Sequence, residues 1–201
     1  MTPPGTFERV YAAIKQRLRE GVYKPGDRLE PAVLSDELSA SVTPVRDALH
    51  RLTGERLVEA PRHEGFRVPM MTETMLRHLY SWHLDLLLLA VMRQQALANE
   101  ILVNNARSDL PSHERQKALF LALAESAGNP EHVGALEGLS QRLEPVQRLE
   151  EAFLNDTEAE TNEIVRSLRA GDRRALRNSL LRYHRRRIRI IPELLAKALE
   201  G

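Results

Sequence analysis

The 201-residue chain contains no cysteine. Disulfides and thiolate metal sites are therefore excluded, and a reducing compartment is compatible with the sequence. Aromatic residues are scarce at 4%. Aliphatic side chains must carry the core, as they do in helical bundles. The longest apolar run, Leu84 to Met92, is interrupted by Asp85 and is far too short to span a bilayer. The first residues, MTPPGTFER, hold no apolar signal core. The expectation is a cytoplasmic protein with no membrane partner. An excess of one charge is also missing: 29 Lys and Arg face 28 Asp and Glu, a net charge of +1. Any nucleic-acid binding must then come from local patches of Arg and Lys. No nucleophile–base constellation, phosphate loop or metal-ligand spacing is present. Ser81 near His83 and Ser179 near His184 are pairings at the level of chance, and the chain is not expected to be an enzyme.

The densest information lies between residues 29 and 68. Phe7 to Glu20 precedes it as a helix, with Val10, Ile14 and Leu18 at helical spacing. Gly21 stops that helix, and Lys24-Pro25-Gly26-Asp27 is a turn. Pro31 suits the first turn of a second helix, in which Leu34 and Leu38 share a face. Ser39-Ala40-Ser41 turns the chain into a third. There Ser41 or Thr43 is the N-cap, Pro44 fits the first turn, and Val45, Leu49 and Leu52 form the buried stripe. Leu57 and Val58 enter the core. Phe66 and Val68 then face one side of a short strand and Arg67 the other, with Gly65 supplying the tight turn before it. Two short helices joined by a polar turn and followed by a hairpin have the plan of a winged helix-turn-helix, a DNA reader.

From Thr72 onward strand signals vanish. Helices are expected over Glu73 to about Leu102, Ser112 to Ser126, Pro130 to about Leu154, Thr157 to Arg169, and Asp172 to about Leu199. Gly128-Asn129-Pro130 and Ala170-Gly171-Asp172 are stop and restart signals. The fold class is thus mostly α: an N-terminal winged helix-turn-helix domain (residues 1–70) and a C-terminal all-α helical bundle (residues 71–201). The boundary is expected near Pro69 to Thr72. Leu84, Leu86 to Leu89, Val91 and Met92 make the first long helix apolar nearly all round, so it is a bundle core or a dimer seam.

The order of elements, with Lys24-Pro-Gly-Asp-Arg-Leu29 and Thr43-Pro-Val-Arg-Asp-Ala-Leu-His-Arg-Leu52, resembles the DNA-binding domain of GntR-family transcription regulators. The helical remainder is similar to the FCD ligand-binding domain of the FadR-like subfamily, through Ala122-Leu-Ala-Glu-Ser-Ala-Gly-Asn-Pro130 and the Gly171-Asp172 restart. This resemblance implies a homodimeric, ligand-responsive regulator, most often a repressor. Its partners would be a double-stranded DNA operator and a small-molecule effector, a carboxylate or related metabolite. Candidate DNA-binding residues are Arg28, Ser41, Thr43, Pro44, Val45, Arg46 and His50, with Arg62, His63 and Gly65 in the wing. Arg46 can contact guanine O6 and N7 in bidentate fashion. Thr43 and the first helical amides can hold a phosphate. The alternative for Arg46 is a surface arginine paired with Asp47 or Glu37. Two departures from the family pattern stand out: Ala32 and Val42 occupy places where many members carry arginine. Arg28, Arg51 and Arg67 are candidates to compensate.

Metal-binding members of the subfamily hold a divalent ion with one acidic residue and three histidines. In this chain those places hold Gln116, Phe120, Thr161 and either Tyr183 or His184. One imidazole does not make a metal site, so no metal and no cofactor is expected. His83, Gln116, Phe120, Thr161, Tyr183, His184 and Arg187 remain the candidate effector-binding residues. For His83 the alternative is a packed or interfacial histidine, and for Tyr183 a buried tyrosine with a satisfied hydroxyl. The basic run Arg182 to Arg189 spreads around a helix. It is expected to pair with acidic stretches such as Glu150-Glu151 or Glu158 to Glu163 rather than with DNA. A competing reading makes the helical domain only a dimerisation or protein-interaction module without effector.

Overall fold

The computed structural model describes residues 5–93 and 111–200. The chain divides into two compact units, Met1–Met71 with Lys197–Gly201, and Thr72–Ala196.

The first unit begins with α1, Thr6–Arg19, whose buried residues Val10, Ile14 and Leu18 recur at the helical period. Gly21, at φ 71°, takes the left-handed turn that stops it. The Lys24–Asp27 turn follows. The Asp27 carboxylate accepts from the Lys24 amide at 2.8 Å, and Gly26 adopts φ 89°, a conformation that disfavours any Cβ. The turn leads into β1, Arg28–Leu29, which pairs antiparallel with β2, Phe66–Arg67. Glu59 bridges to Arg67 on the other edge. The wing is therefore a three-segment ribbon, not a simple hairpin. Between β1 and the wing lie α2, Pro31–Glu37, and α3, Val42–Gly54. Leu34 and Leu38 from the first, and Val45, Ala48, Leu49 and Leu52 from the second, join α1, Leu57, Val58 and Val68 in one core. Tyr11, Lys15 and Arg51 gather around Glu55. The Lys15 ammonium lies 2.7 Å from that carboxylate, and the Arg51 guanidinium sits 4.3 Å from the Tyr11 ring centre.

The second unit contains, among its described residues, the helices α4 (Glu73–Arg93), α5 (Ser112–Glu125), α6 (Pro130–Gln147), α7 (Thr157–Arg169) and α8 (Arg173–Arg189), and residues 191–196 of α9 (Ile191–Glu200). The part of the first expected helix beyond Arg93 lies outside the described residues. α4 packs against α5, α6 and α8, while α7 packs on α8. Its buried positions run Leu76, Leu79, Tyr80, His83, Leu86, Leu87, Ala90 and Val91, so it is the central helix. Restart signals work as side-chain caps: Asn129 accepts from the Glu131 amide at 3.0 Å and Asp172 from the Ala175 amide at 2.9 Å.

Two expected helices are each broken in two. The segment from Pro130 ends at Gln147 and passes into a 3-10 turn, Glu150–Ala152. Pro145 lacks the N–H that would bond one turn back, which loosens the helix just before it ends. The segment from Asp172 breaks at Ile190, because Pro192 cannot donate into a continuing helix but sits without cost in the first turn of a new one. Among the described residues no helix is long and apolar enough to cross a membrane.

Candidate nucleic-acid interface and interior site

α3 presents its polar side through the positions of its buried stripe. Val45 is 0% exposed and belongs to the core. It anchors the helix, and its side chain has no exposed surface to offer a ligand, unlike the other residues named with it. The reason is periodic: position 45 shares a face with 49 and 52. Ser41 occupies the N-cap, but its side chain makes no capping bond. Thr43 is the second helical residue, not the cap, and Pro44 the third. The cap residue thus leaves the amides of Val42 and Thr43 for an outside acceptor, and Pro44 has no amide to satisfy.

The arginines of this unit fall into two sets. Arg51 is committed to Glu55 and the Tyr11 ring. Arg67 is held by Glu59 at 3.0 Å and by Glu64 at 3.2 Å. Neither compensates for Ala32 or Val42. Arg28, Arg46 and Arg62 are exposed and carry no ion pair among the described residues. Glu37, one alternative partner for Arg46, is taken by Arg17. His50 is exposed, with its ring edge-on to Phe66 at 4.9 Å, which ties the middle of α3 to the wing. His63 and Gly65 both take left-handed backbone, at φ 64° and 77°, and form the exposed wing tip with Arg62.

In the helical unit the seven effector candidates are all buried and converge. Tyr183 donates its hydroxyl proton to Gln116 Oε1 at 3.2 Å, and Gln116 Nε2 donates to Thr161 Oγ1 at 2.9 Å. The Thr161 hydroxyl in turn donates to the Thr157 carbonyl at 2.8 Å. The Phe120 ring lies edge-on between His83 at 5.4 Å and Tyr183 at 5.1 Å. His184 Nδ1 faces the Leu180 carbonyl at 2.8 Å, an acceptor, so that nitrogen carries the proton. Its Nε2 must then accept, and His83 Nδ1 donates to it at 2.9 Å. Both rings are therefore neutral. Burial pushes the His184 pKa down to about 3, and burial with the neighbouring His184 and Arg187 holds His83 well below the usual imidazole range.

The centre of this network is Arg187, 0% exposed. Its Nε donates to Glu150 at 2.8 Å, its Nη1 to Glu160 at 2.8 Å, and its guanidinium carbon lies 3.3 Å from the Tyr183 ring centre. Tyr80 donates to the other Glu150 oxygen at 2.6 Å. Burial pushes the Glu150 pKa up, and Arg187 opposes that shift. Burial alone would lower the Arg187 pKa, but Tyr183, Glu150 and Glu160 hold it raised. Glu150 and Glu160 lie in the acidic stretches expected to pair with the basic run, but their burial, and the part played by Tyr80, escape a reading of sequence because glutamates in such stretches look like surface residues. The available signal was the neutralisation demand of an arginine on an apolar helix face. Along the same helix Arg182 pairs with Glu163 at 2.7 Å, and Arg186 with Glu160 at 3.2 Å. The basic run is thus largely spent on α7 and the 3-10 turn.

The places where the resemblance implies metal ligands do come together here, but their chemistry does not fit a divalent ion. They offer an amide, a phenyl ring, two hydroxyls and one imidazole whose Nε2 already accepts a bond. The positive charge at this spot belongs to a guanidinium. Among the described residues no group of three His, Asp or Glu side chains is arranged to hold a metal.

Two outcomes follow for stability, both readable through Trp82, the sole tryptophan, which lies on α4. Arg187→Met strands two buried carboxylates and should lower the unfolding free energy of this unit by about 3–5 kcal/mol in urea titrations. Arg187→Lys should fall between, since an ammonium cannot reproduce the fork. Stability should also decline as pH falls below about 6.5. The unfolded chain then protonates His83 and His184 while the folded unit, with both pKa values depressed, does not. Each histidine contributes a slope of up to about 1.4 kcal/mol per pH unit. Glu150, with its raised pKa, acts oppositely: its stabilisation is full below the ordinary carboxylate range and is lost as pH rises through its folded pKa. His184→Asn should remove about one histidine's share of the slope between pH 6.5 and 5, measured by the same titrations.

Comparison with known proteins agrees with this geometry. Residues 6–68 match the model of bacterial regulatory proteins of the gntR family. The HTH-type transcriptional repressor GlaR of Escherichia coli is 31% identical over 70 residues, 35% of this chain and 32% of GlaR. The HTH-type transcriptional regulator McbR of Escherichia coli is 35% identical over 78 residues, 39% of this chain and 35% of McbR. These matches span well under half of either relative. Along nearly the whole chain the fold is that of solved structures. E. coli McbR/YncC superposes with a TM-score of 0.72 at 23% identity, covering 94% of this chain and 98% of that one. A putative GntR regulator from Rhodococcus sp. RHA1 gives 0.75 at 18% identity, covering 97% and 98%. The likeness in sequence to the gntR family thus covers the helix-turn-helix domain, residues 6–68.

Proposed function

We propose that this protein is a sequence-specific DNA-binding transcription regulator, a repressor acting as a homodimer in the cytoplasm. The observation that carries the reading is the isolation of Arg46. It stands exposed on the first turns of a helix otherwise locked into the core, with no acidic partner among the described residues. A guanidinium held on a rigid helix and left unpaired suits bidentate contact with guanine in the major groove. Arg28 and Arg62 are free in the same sense and suit phosphate contacts that set register. The uncapped amides of Val42 and Thr43 add an anion site at the helix end. Trp82, 52% exposed on α4, supports a second subunit against that helix.

For the helical unit the geometry favours a dimerisation module. The guanidinium that would greet a carboxylate effector is already bonded to two internal carboxylates. A second reading keeps the effector, because Gln116, Tyr183, His184 and Arg187 do meet at one place. On that reading a small carboxylate exchanges with Glu150 on Arg187, and binding shifts the spacing of two reading helices.

The direct test is binding to the upstream intergenic DNA across a salt series, beside Arg46→Ala. Saturable, salt-sensitive binding weakened by about 1–3 kcal/mol in the variant supports base readout. Unchanged binding removes Arg46 from the reading site. For the helical unit, a thermal-shift panel of small carboxylates separates the two readings. A concentration-dependent rise in Tm marks a sensor, while no rise across the panel in a protein that stays dimeric marks a module.

A further inference from the structure

We infer that the outer face of α8 is a second DNA-binding surface, which holds the phosphate backbone of duplex flanking the operator and reads no base. This inference rests on the DNA-reading function proposed above and deepens it. α8 carries no acidic residue along its whole length, Arg173–Arg189. Its ion pairs with α7 and the 3-10 turn use one side of the helix only, through Arg182, Arg186 and Arg187. Arg174, Arg177, Arg185 and Arg189 are exposed and carry no ion pair among the described residues.

Those four arginines share a face. At 3.6 residues per turn they fall on an arc of about 120°, whose other members are Asn178, Leu181 and Ile188. Leu176, Leu180, Tyr183 and Arg187 hold the opposite side in the interior, so the arc cannot turn inward. Such a face is unfavourable for the helix by itself. Arg174 sits in the first turn, where the dipole disfavours a cation. Arg174 with Arg177, and Arg185 with Arg189, are like-charge neighbours at helical spacing. An anion from outside offsets both effects.

The spread of the charges selects the anion. From Arg174 to Arg189 the helix rises about 22 Å. That is far more than a single phosphate or carboxylate spans, and it matches about six phosphates of one DNA strand. The face also lacks an apolar anchor, since Leu181 and Ile188 are half-buried. A protein partner needs such an anchor at the centre of its interface, and a membrane-bound helix needs an apolar face. Guanidinium groups alone suit a polyphosphate backbone.

The experiment uses the full-length protein and a random duplex library, from which bound sites are selected. The selected site is placed in a duplex of its own length and in one extended by about three helical turns on either side. The slope of log K against log[salt] is measured on both duplexes for the wild type and two variants. One variant is Arg174→Gln/Arg177→Gln/Arg185→Gln/Arg189→Gln, and the other is Arg174→Lys/Arg177→Lys/Arg185→Lys/Arg189→Lys. On the long duplex the Gln variant should lose about 0.9 of slope for each phosphate released, so about 3 to 4 for each face engaged. On the short duplex it should match the wild type. The Lys variant keeps the charge and should keep the wild-type slope on both. A Gln variant with the wild-type slope on the long duplex overturns the assignment and leaves the face to another anion. An equal loss on both duplexes overturns it too, as does a Lys variant that behaves like the Gln variant. Failure to enrich any sequence overturns DNA reading itself, and with it this inference. Gln and Arg have similar helix propensity, so an unchanged thermal melt of the Gln variant serves as the folding control.

Discussion

A buried guanidinium is stable only if its charge and all its donors are met, and Arg187 imposes that demand on the whole helical unit. Its partners come from everywhere. Glu150 stands on the 3-10 turn after α6, Glu160 on α7, Tyr183 one turn back on α8, and Gln116 on α5. Tyr80 from α4 completes Glu150. Removing a buried charge from water is expensive, and these contacts repay it only in one arrangement. The break after Gln147 acquires a purpose in this light. A helix running on to Leu154 would not present Glu150 on the same tight turn. The neutral histidine pair fits the same constraint, since a second cation beside Arg187 would be repelled.

The N-terminal unit works by sorting its arginines. Arg51 and Arg67 spend their charge inside the unit, stiffening the junction of α1 with α3 and the ribbon of the wing. Arg28, Arg46 and Arg62 do not. A net charge of +1 over the whole chain hides this division. The local field at the outer face of α3 and the wing depends on which arginines lack a carboxylate, not on how many there are. The same sorting appears along α8, where a run that looks basic in sequence is largely neutralised by α7.

Much of this was legible beforehand, for physical reasons that differ by element. α1 and α3 were readable because apolar spacing, a glycine stop and a proline start agree with one another. The interior positions Gln116, Phe120, Thr161 and His184 were found through family resemblance and do meet. Periodicity alone would not have brought residues from α5, α7 and α8 to one point. Val45 stood both in the buried stripe and among the reading residues, because a motif treats neighbours alike; a helix turns each by 100°, and the stripe is where its side chain lies. The breaks at Gln147 and Ile190 were missed although Pro145 and Pro192 were in plain view, because the apolar pattern continues across both. Glu150 and Glu160 were invisible as interior residues, since burial of a carboxylate depends on a partner far along the chain.

The shared ownership of Arg187 has a consequence for how the helical unit comes apart. With ligands on α5, α7, the 3-10 turn and α8 itself, no one of these segments can peel away without exposing an unpaired charge to an apolar interior. Local opening therefore costs nearly as much as global opening. The segments that meet at Arg187 form one cooperative block whose backbone amides exchange with solvent together and not helix by helix.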